Sequence, residues 1–164
     1  QQALGVDNLG IRMFVVFREL AETMSNLIVR HVKVDRTKIP QEALNATGRK
    51  QYTTQVIVDA MPRGVEDEGE VVFFKPRPES YDRNGCISDD NLEKEFEFHG
   101  LKPCDSYKLS KVNADEHPNA THWEDENDKW CYAAFNRWFG ERRVRVYRYD
   151  NGWGRDWWFA GLRK

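Results

Sequence analysis

Four histidines, three cysteines and 27 carboxylates are the side chains from which reactive chemistry would have to be assembled. His117 and His122 stand five positions apart beside Asp115, Glu116 and Glu124, a grouping that suggests metal ligation. A helical histidine pair binds zinc at a spacing of three or four, and Pro118 between these two argues for a loop, so both read as polar loop residues. Cys86, Cys104 and Cys131 are odd in number and far apart, with no C-x-x-C, which predicts reduced, partly buried thiols. There is no nucleophile elbow, no glycine-rich phosphate loop and no H-E-x-x-H. The pairs Glu93/Glu97 and Asp89/Asp90 sit where a solvated helix face or a helix start would place carboxylates, not as a glycosidase pair. The acidic run 125–128 could offer oxygens to calcium, but it lacks EF-hand spacing and reads as a hairpin turn. No catalytic residue, metal ligand or cofactor is assigned, and the chain reads as a non-enzyme. Asn45-Ala46-Thr47 and Asn119-Ala120-Thr121 match the three-letter glycosylation pattern.

The last 24 residues carry seven basic and three acidic side chains with aromatics between them. Arginines beside stacking rings can bind single-stranded nucleic acid. Over 142–148, however, arginines alternate with valines, the pattern of a strand with one face outward. A nucleic-acid-binding accessory module using this basic aromatic face is therefore the alternative reading, not the first.

The elements that must position these residues follow from periodicity. Met13, Phe17, Leu20, Met24, Leu27 and His31 repeat at spacings of 4, 3, 4, 3 and 4, and predict an amphipathic helix over residues 9–34. Such a helix either packs on its own domain or makes an oligomer, and His31 on its seam reads as structural. Residues 35–51 read as a connection with one helical turn near 41–46. Residues 55–58 could be helix or strand. Val71, Val72, Phe73 and Phe74 predict a strand over 70–75. Ser88-Asp89-Asp90 starts a helix that Gly100 ends, and Asp105 or Ser106 starts another that Pro118 closes. Strands are predicted over 130–135, 142–149 and 157–162 as an antiparallel meander, giving an α+β chain.

Bulk composition agrees with one domain. The chain has 164 residues, 40% hydrophobic and 32% charged, with a formal net charge of −2. That supports a core and gives no overall basic field for nucleic acid or membrane. No apolar run reaches the roughly 20 residues a bilayer demands, so no membrane insertion is expected. The aromatics are unevenly placed: of 21, 11 fall within 130–164.

That segment, WCYAAFNRWFGERRVRVYRYDNGWGRDWWFAGLRK, resembles the C-terminal variable region of diversity-generating retroelement target proteins. The ending Trp158 to Lys164 is similar to the last core strand of their C-type lectin fold, in the branch shared with formylglycine-generating enzymes. The resemblance covers about 50–164. It implies a C-type lectin-like domain over 50–164, with a variable region of about 130–164, preceded by an N-terminal helix and connection over 1–49. The calcium-binding Trp-Asn-Asp and Glu-Pro-Asn patterns of sugar-binding lectins and the close cysteine pair of formylglycine-generating catalysis are absent, so neither activity is carried over.

In that family, as the resemblance implies, adenines copied from a template are replaced, and asparagine codons are the richest targets. The tryptophan codon, TGG, holds no adenine, so Trp138, Trp153, Trp157 and Trp158 would be fixed framework. Asn136, Phe139, Gly140, Arg145, Tyr149, Asp150, Asn151, Gly152, Gly154, Arg155 and Asp156 are all reachable from an asparagine codon, and would form the ligand-binding surface. Trp130, Phe135, Val144, Val146, Trp158, Phe159 and Leu162 would be the scaffold. The expected partner is a macromolecule, a protein or a surface structure. Display on a virion or cell surface would suit it, although no export signal is visible.

Overall fold

The computed structural model describes residues 9–14, 17, 27–148 and 151–164. It is a mixed α+β fold with one large sheet. The strands are β1 (Leu27–Lys33), β2 (Lys50–Thr53), β3 (Glu68–Phe74), β4 (Leu101–Pro103), β5 (Asn119–Glu124), β6 (Trp130–Trp138), β7 (Glu141–Arg148) and β8 (Trp158–Arg163). The helices are α1 (Pro40–Asn45), α2 (Gln55–Asp59), α3 (Asp89–Phe98) and α4 (Ser106–Val112). Sheet order is β1-β3-β8-β5-β6-β7-β2, with β4 paired to β8. Among the described residues no helix is long and apolar enough to cross a membrane.

The helix expected over residues 9–34 is corrected. Residues 9–14 and 17 are helical, with Leu9, Ile11, Met13, Phe14 and Phe17 exposed, while Leu20 and Met24 lie outside the described residues. Leu27 and His31, the last members of the helical seam, belong to β1. There the branched side chains of Ile28, Val29 and Val32 suit a strand, and the ladder from Leu27↔Phe74 to Lys33↔Glu68 sets apolar against apolar at one end. At the other end it sets Lys33 and His31 among Glu68 and Glu70. Local periodicity loses to a partner strand. Because Val32 and Leu44 share a core with Phe135 and Val144, the fold extends well N-terminal of the boundary expected at residue 50.

Around β3 and β8 the sheet is buried on both faces, which the alternation along β3 displays most clearly. Val71 and Phe73 point into one core with Leu44, Ile57, Val58 and Leu109 from α1, α2 and α4. Val72 and Phe74 point into the other with Leu92 and Phe96 from α3. Both helix starts predicted from sequence are present: Ser88 Oγ accepts from Asn91 N at 3.2 Å, and Asp105 Oδ1 accepts from Lys108 N at 2.9 Å. Gly100 follows α3 at φ +69°, the left-handed stop that glycine makes at little cost.

The C-terminal strands do not form the expected three-strand meander. β5, β6 and β7 do so, but β8 crosses back to lie between β3 and β5, antiparallel to the first and parallel to the second. Phe159 and Ala160, on opposite faces, are both fully buried, and only an interior strand can bury both faces. β2, expected as connection, pairs parallel with β7 from Lys50↔Arg143 to Thr53↔Val146.

Candidate binding face

In β6 and β7 the side chains divide cleanly. Cys131, Ala133, Phe135, Val144 and Val146 face the core beneath α2. The register pairs Tyr132 with Tyr147, Ala134 with Arg145 and Asn136 with Arg143 on the other face. Tyr52 of neighbouring β2 joins that face, its ring 4.9 Å from the Arg143 guanidinium. The result is a half-buried surface of tyrosines and arginines, continued at one end by the β6–β7 turn and flanked by the loop 151–157.

One side chain ties this region to the rest of the molecule. Arg49, whose side chain is fully buried, donates to Asn113 Oδ1 at 2.6 Å, Ala114 O at 2.9 Å and Asp115 Oδ1 at 2.8 Å. It also reaches Asn136 O and Arg143 O, each at 3.3 Å, so it clamps the turn end of the β6–β7 hairpin to the end of α4. Burial pulls the Arg49 pKa down, and the Asp115 charge opposes that. Asp115 is partly desolvated, which favours its neutral form. Arg142, Arg49 and Arg137 outweigh this and hold its pKa below the ordinary carboxylate value.

The basic charge of the hairpin is thus partly offset within the chain, with Asp115 shared by three guanidiniums. Arg137 and Arg142 pair with Asp115, Arg143 with Glu141 at 2.7 Å, and Arg148 with Asp125 at 2.5 Å. Asp125 also accepts from the backbone N–H of Asn127 and Lys129, which makes the acidic run the β5–β6 turn that its sequence suggests. Arg145 differs: its side chain makes no hydrogen bond and no ion pair among the described residues. It lines a cleft of about 140 Å³ with Asp89, Tyr132, Ala134, Gly152, Trp153 and Trp157. Trp153 sits edge-on to Tyr132 at 5.1 Å and to Trp157 at 5.3 Å.

Behind the cleft lies a polar cluster that corrects the loop reading of His122. This histidine is on β5 and buried, with Nδ1 2.7 Å from Asp89 Oδ1 and Nε2 2.6 Å from Glu93 Oε1. Its ring stacks on Trp130 at 4.3 Å and Phe96 at 5.5 Å. Burial disfavours the imidazolium, but the bonds and charges of Asp89 and Glu93 together outweigh it and raise the pKa above 6.5. With each nitrogen held against a carboxylate oxygen, the ring has no nitrogen free to act as a base toward a substrate. A larger cleft of about 780 Å³ opens on the far side, bordered by Glu93, His122, Trp130 and Lys108. Two of its buried polar groups are engaged: Lys108 with Glu66 at 3.9 Å, Asp105 with Arg36 at 2.9 Å.

The other expected chemistry is placed as follows. His117 is exposed and stacks on Trp158 at 4.9 Å, and His31 pairs with Glu68 at 3.5 Å. All three cysteines are free, and burial pushes the thiols of Cys104 and Cys131 up, away from the reactive thiolate. Asn45 is exposed but Asn119 is buried, so the second glycosylation match is closed to an enzyme. Among the described residues no group of three or more His, Cys, Asp or Glu is arranged to hold a metal ion.

Of the eleven expected surface residues, Asn136 and Arg145 share the open face and Phe139 and Gly140 form its hairpin tip. Asn151, Gly152, Gly154, Arg155 and Asp156 lie in the flanking loop, and Tyr149 and Asp150 fall outside the described residues. Two glycines serve the backbone. Gly140 is at φ +80° in the turn, and Gly152 is at φ +79° with Ile87 O only 3.0 Å from where a Cβ would stand. Gly154 is open. The framework tryptophans also differ: Trp153 is buried, Trp157 and Trp158 are half-buried, and Trp138 is 52% exposed at the tip. Trp130 and Leu162 of the expected scaffold are half-buried, not core. Sequence reading missed Arg49, Tyr52 and the His122–Asp89 pair. A lone arginine or tyrosine carries no signal of burial, and residues 33 positions apart show no spacing. Comparison with known proteins finds no matching family model, no similar curated protein and no similar solved structure.

Proposed function

We propose that the protein is a non-enzymatic binding protein of C-type lectin-like fold, whose C-terminal surface is diversified by adenine-directed retroelement mutagenesis to bind varied macromolecular targets. The observation that carries this reading is Phe139. Among described residues, three other than glycine have positive φ: Asn113 at 48°, Asp128 at 60° and Phe139 at 49°. Asparagine and aspartate tolerate that region, whereas a bulky aromatic there is strained by about 1 kcal/mol or more. Phe139 is also 95% exposed, so it recovers nothing by packing in a core. The fold prefers asparagine at this position. Replacing both adenines of an asparagine codon yields phenylalanine, and a ligand surface gives such a ring a use.

The face around it has the composition of a paratope. Tyrosine and tryptophan supply rigid contact area, and Asn, Asp and Arg supply adaptable polar contacts. Beneath it Phe135, Val144 and Val146 are fully buried, so surface exchange leaves the core alone. The test is a library with codons 136, 139, 145, 149, 150, 151, 154, 155 and 156 randomised and Gly140, Gly152 and every tryptophan kept. Members that melt close to the parent and are retained on unrelated immobilised proteins support the reading. General failure to fold makes these positions structural and overturns it.

A further inference from the structure

We infer that Arg145 and the rings around it form an anchor pocket for an acidic side chain, glutamate or aspartate, on the surface of a partner protein; this rests on the binding-face reading above. The charge balance is the first ground. Of the arginines on β6 and β7, Arg137, Arg142, Arg143 and Arg148 each have a carboxylate partner in the chain, and Arg145 has none among the described residues. The one acid lining its cleft is committed elsewhere. Asp89 Oδ1 accepts from His122 Nδ1 at 2.7 Å and from Trp153 Nε1 at 3.0 Å. The cleft therefore presents a half-buried guanidinium with no hydrogen-bond or ion-pair partner among the described residues, whose planar fork matches a carboxylate with two parallel bonds.

Size and walls narrow the occupant. At about 140 Å³ the cleft is smaller than the roughly 300–1,000 Å³ of small-molecule sites, and it accepts one side chain, not a nucleotide. Trp153, Trp157 and Tyr132 give it apolar sides that cover the methylene stem of a glutamate and exclude water from the ion pair, which strengthens it. Asp89 in the same wall disfavours a doubly charged phosphate more than a singly charged carboxylate.

The test follows the indole N–H resonances of Trp153 and Trp157 in the full chain during titration with glutamate blocked at both ends. Blocked glutamine and inorganic phosphate are titrated in parallel. Blocked glutamate shifts both resonances and blocked glutamine does not. Arg145→Gln weakens the effect about tenfold or more, as loss of a paired, charge-assisted bond requires. Arg145→Lys, which keeps the charge without the fork, falls between. No response to blocked glutamate, a response that persists in Arg145→Gln, or phosphate acting as strongly as glutamate overturns the inference. Should a variant lose its fold, the comparison of glutamate with glutamine on the parent chain still decides. The titration is independent of sequence diversity, so an invariant gene would sink the display reading and leave the pocket standing.

Discussion

One carboxylate oxygen of Asp89 accepts from two directions: His122 Nδ1 at 2.7 Å and Trp153 Nε1 at 3.0 Å. That oxygen joins the first turn of α3, the middle of β5 and the loop that walls the Arg145 cleft. The buried His122 ring between Asp89 and Glu93 thus fixes the carboxylate that holds the loop's tryptophan in register with the sheet.

This arrangement makes stability depend on pH in a definite direction. The folded pKa of His122 lies above the ordinary 6.5, so its contribution is fully present below 6.5 and lost as pH rises through the folded value. Denaturant unfolding of the parent and of His122→Gln across that interval checks this. The variant is the less stable at low pH, and the gap between the two narrows as pH rises. A gap that widens with pH contradicts a raised folded pKa.

Surface and core substitutions should separate sharply. Phe139→Asn relieves a left-handed aromatic and raises stability by about 0.5–1 kcal/mol, roughly 1–4 °C in melting temperature for a chain of this size. Phe159→Ala, at a fully buried ring, lowers it by about 3–5 kcal/mol. Thermal melts of the two variants against the parent provide the comparison.

Arg49 is the side chain that ties the turn end of the β6–β7 hairpin to α4. Arg49→Ala takes the donor from Asn113 Oδ1 and from the Ala114, Asn136 and Arg143 carbonyls, while Asp115 keeps Arg142 and Arg137, and should cost about 1–3 kcal/mol, as leaving buried acceptors unsatisfied does. Hydrogen exchange should show the loss concentrated in β6 and β7.

Truncation tests the corrected N-terminal boundary. A chain beginning at Leu27 keeps β1 and α1 and should fold. One beginning at Lys50 bares the β1 edge of β3 and removes Val32 and Leu44 from the core, and should not. Far-UV circular dichroism with cooperative melting distinguishes them.

Local signals in the sequence are legible wherever local chemistry decides the structure. Ser88 and Asp105 cap helices because their oxygens meet nearby N–H groups, and Val144 and Val146 alternate with arginines because one face is buried. Partner-dependent features were not legible. Leu27 to Lys33 is a strand because β3 lies beside it, although its spacing continues a helical seam. β8 leaves the expected meander because Phe159 and Ala160 both need burial. At the candidate site, turn and strand positions were evident from residue type. Arg49, Tyr52 and the Asp89–His122 bond depend on contacts between distant segments, which no spacing encodes.

The central claim, that the fold holds its framework while this surface is rewritten, is tested most directly by deep sequencing of codons 130–164 across a population of the source. Changes should concentrate at codons 136, 139, 145, 149–151 and 154–156, in first and second bases, with asparagine recurring at 139 and every TGG constant. An invariant segment, or scattered changes dominated by synonymous third bases, would contradict it.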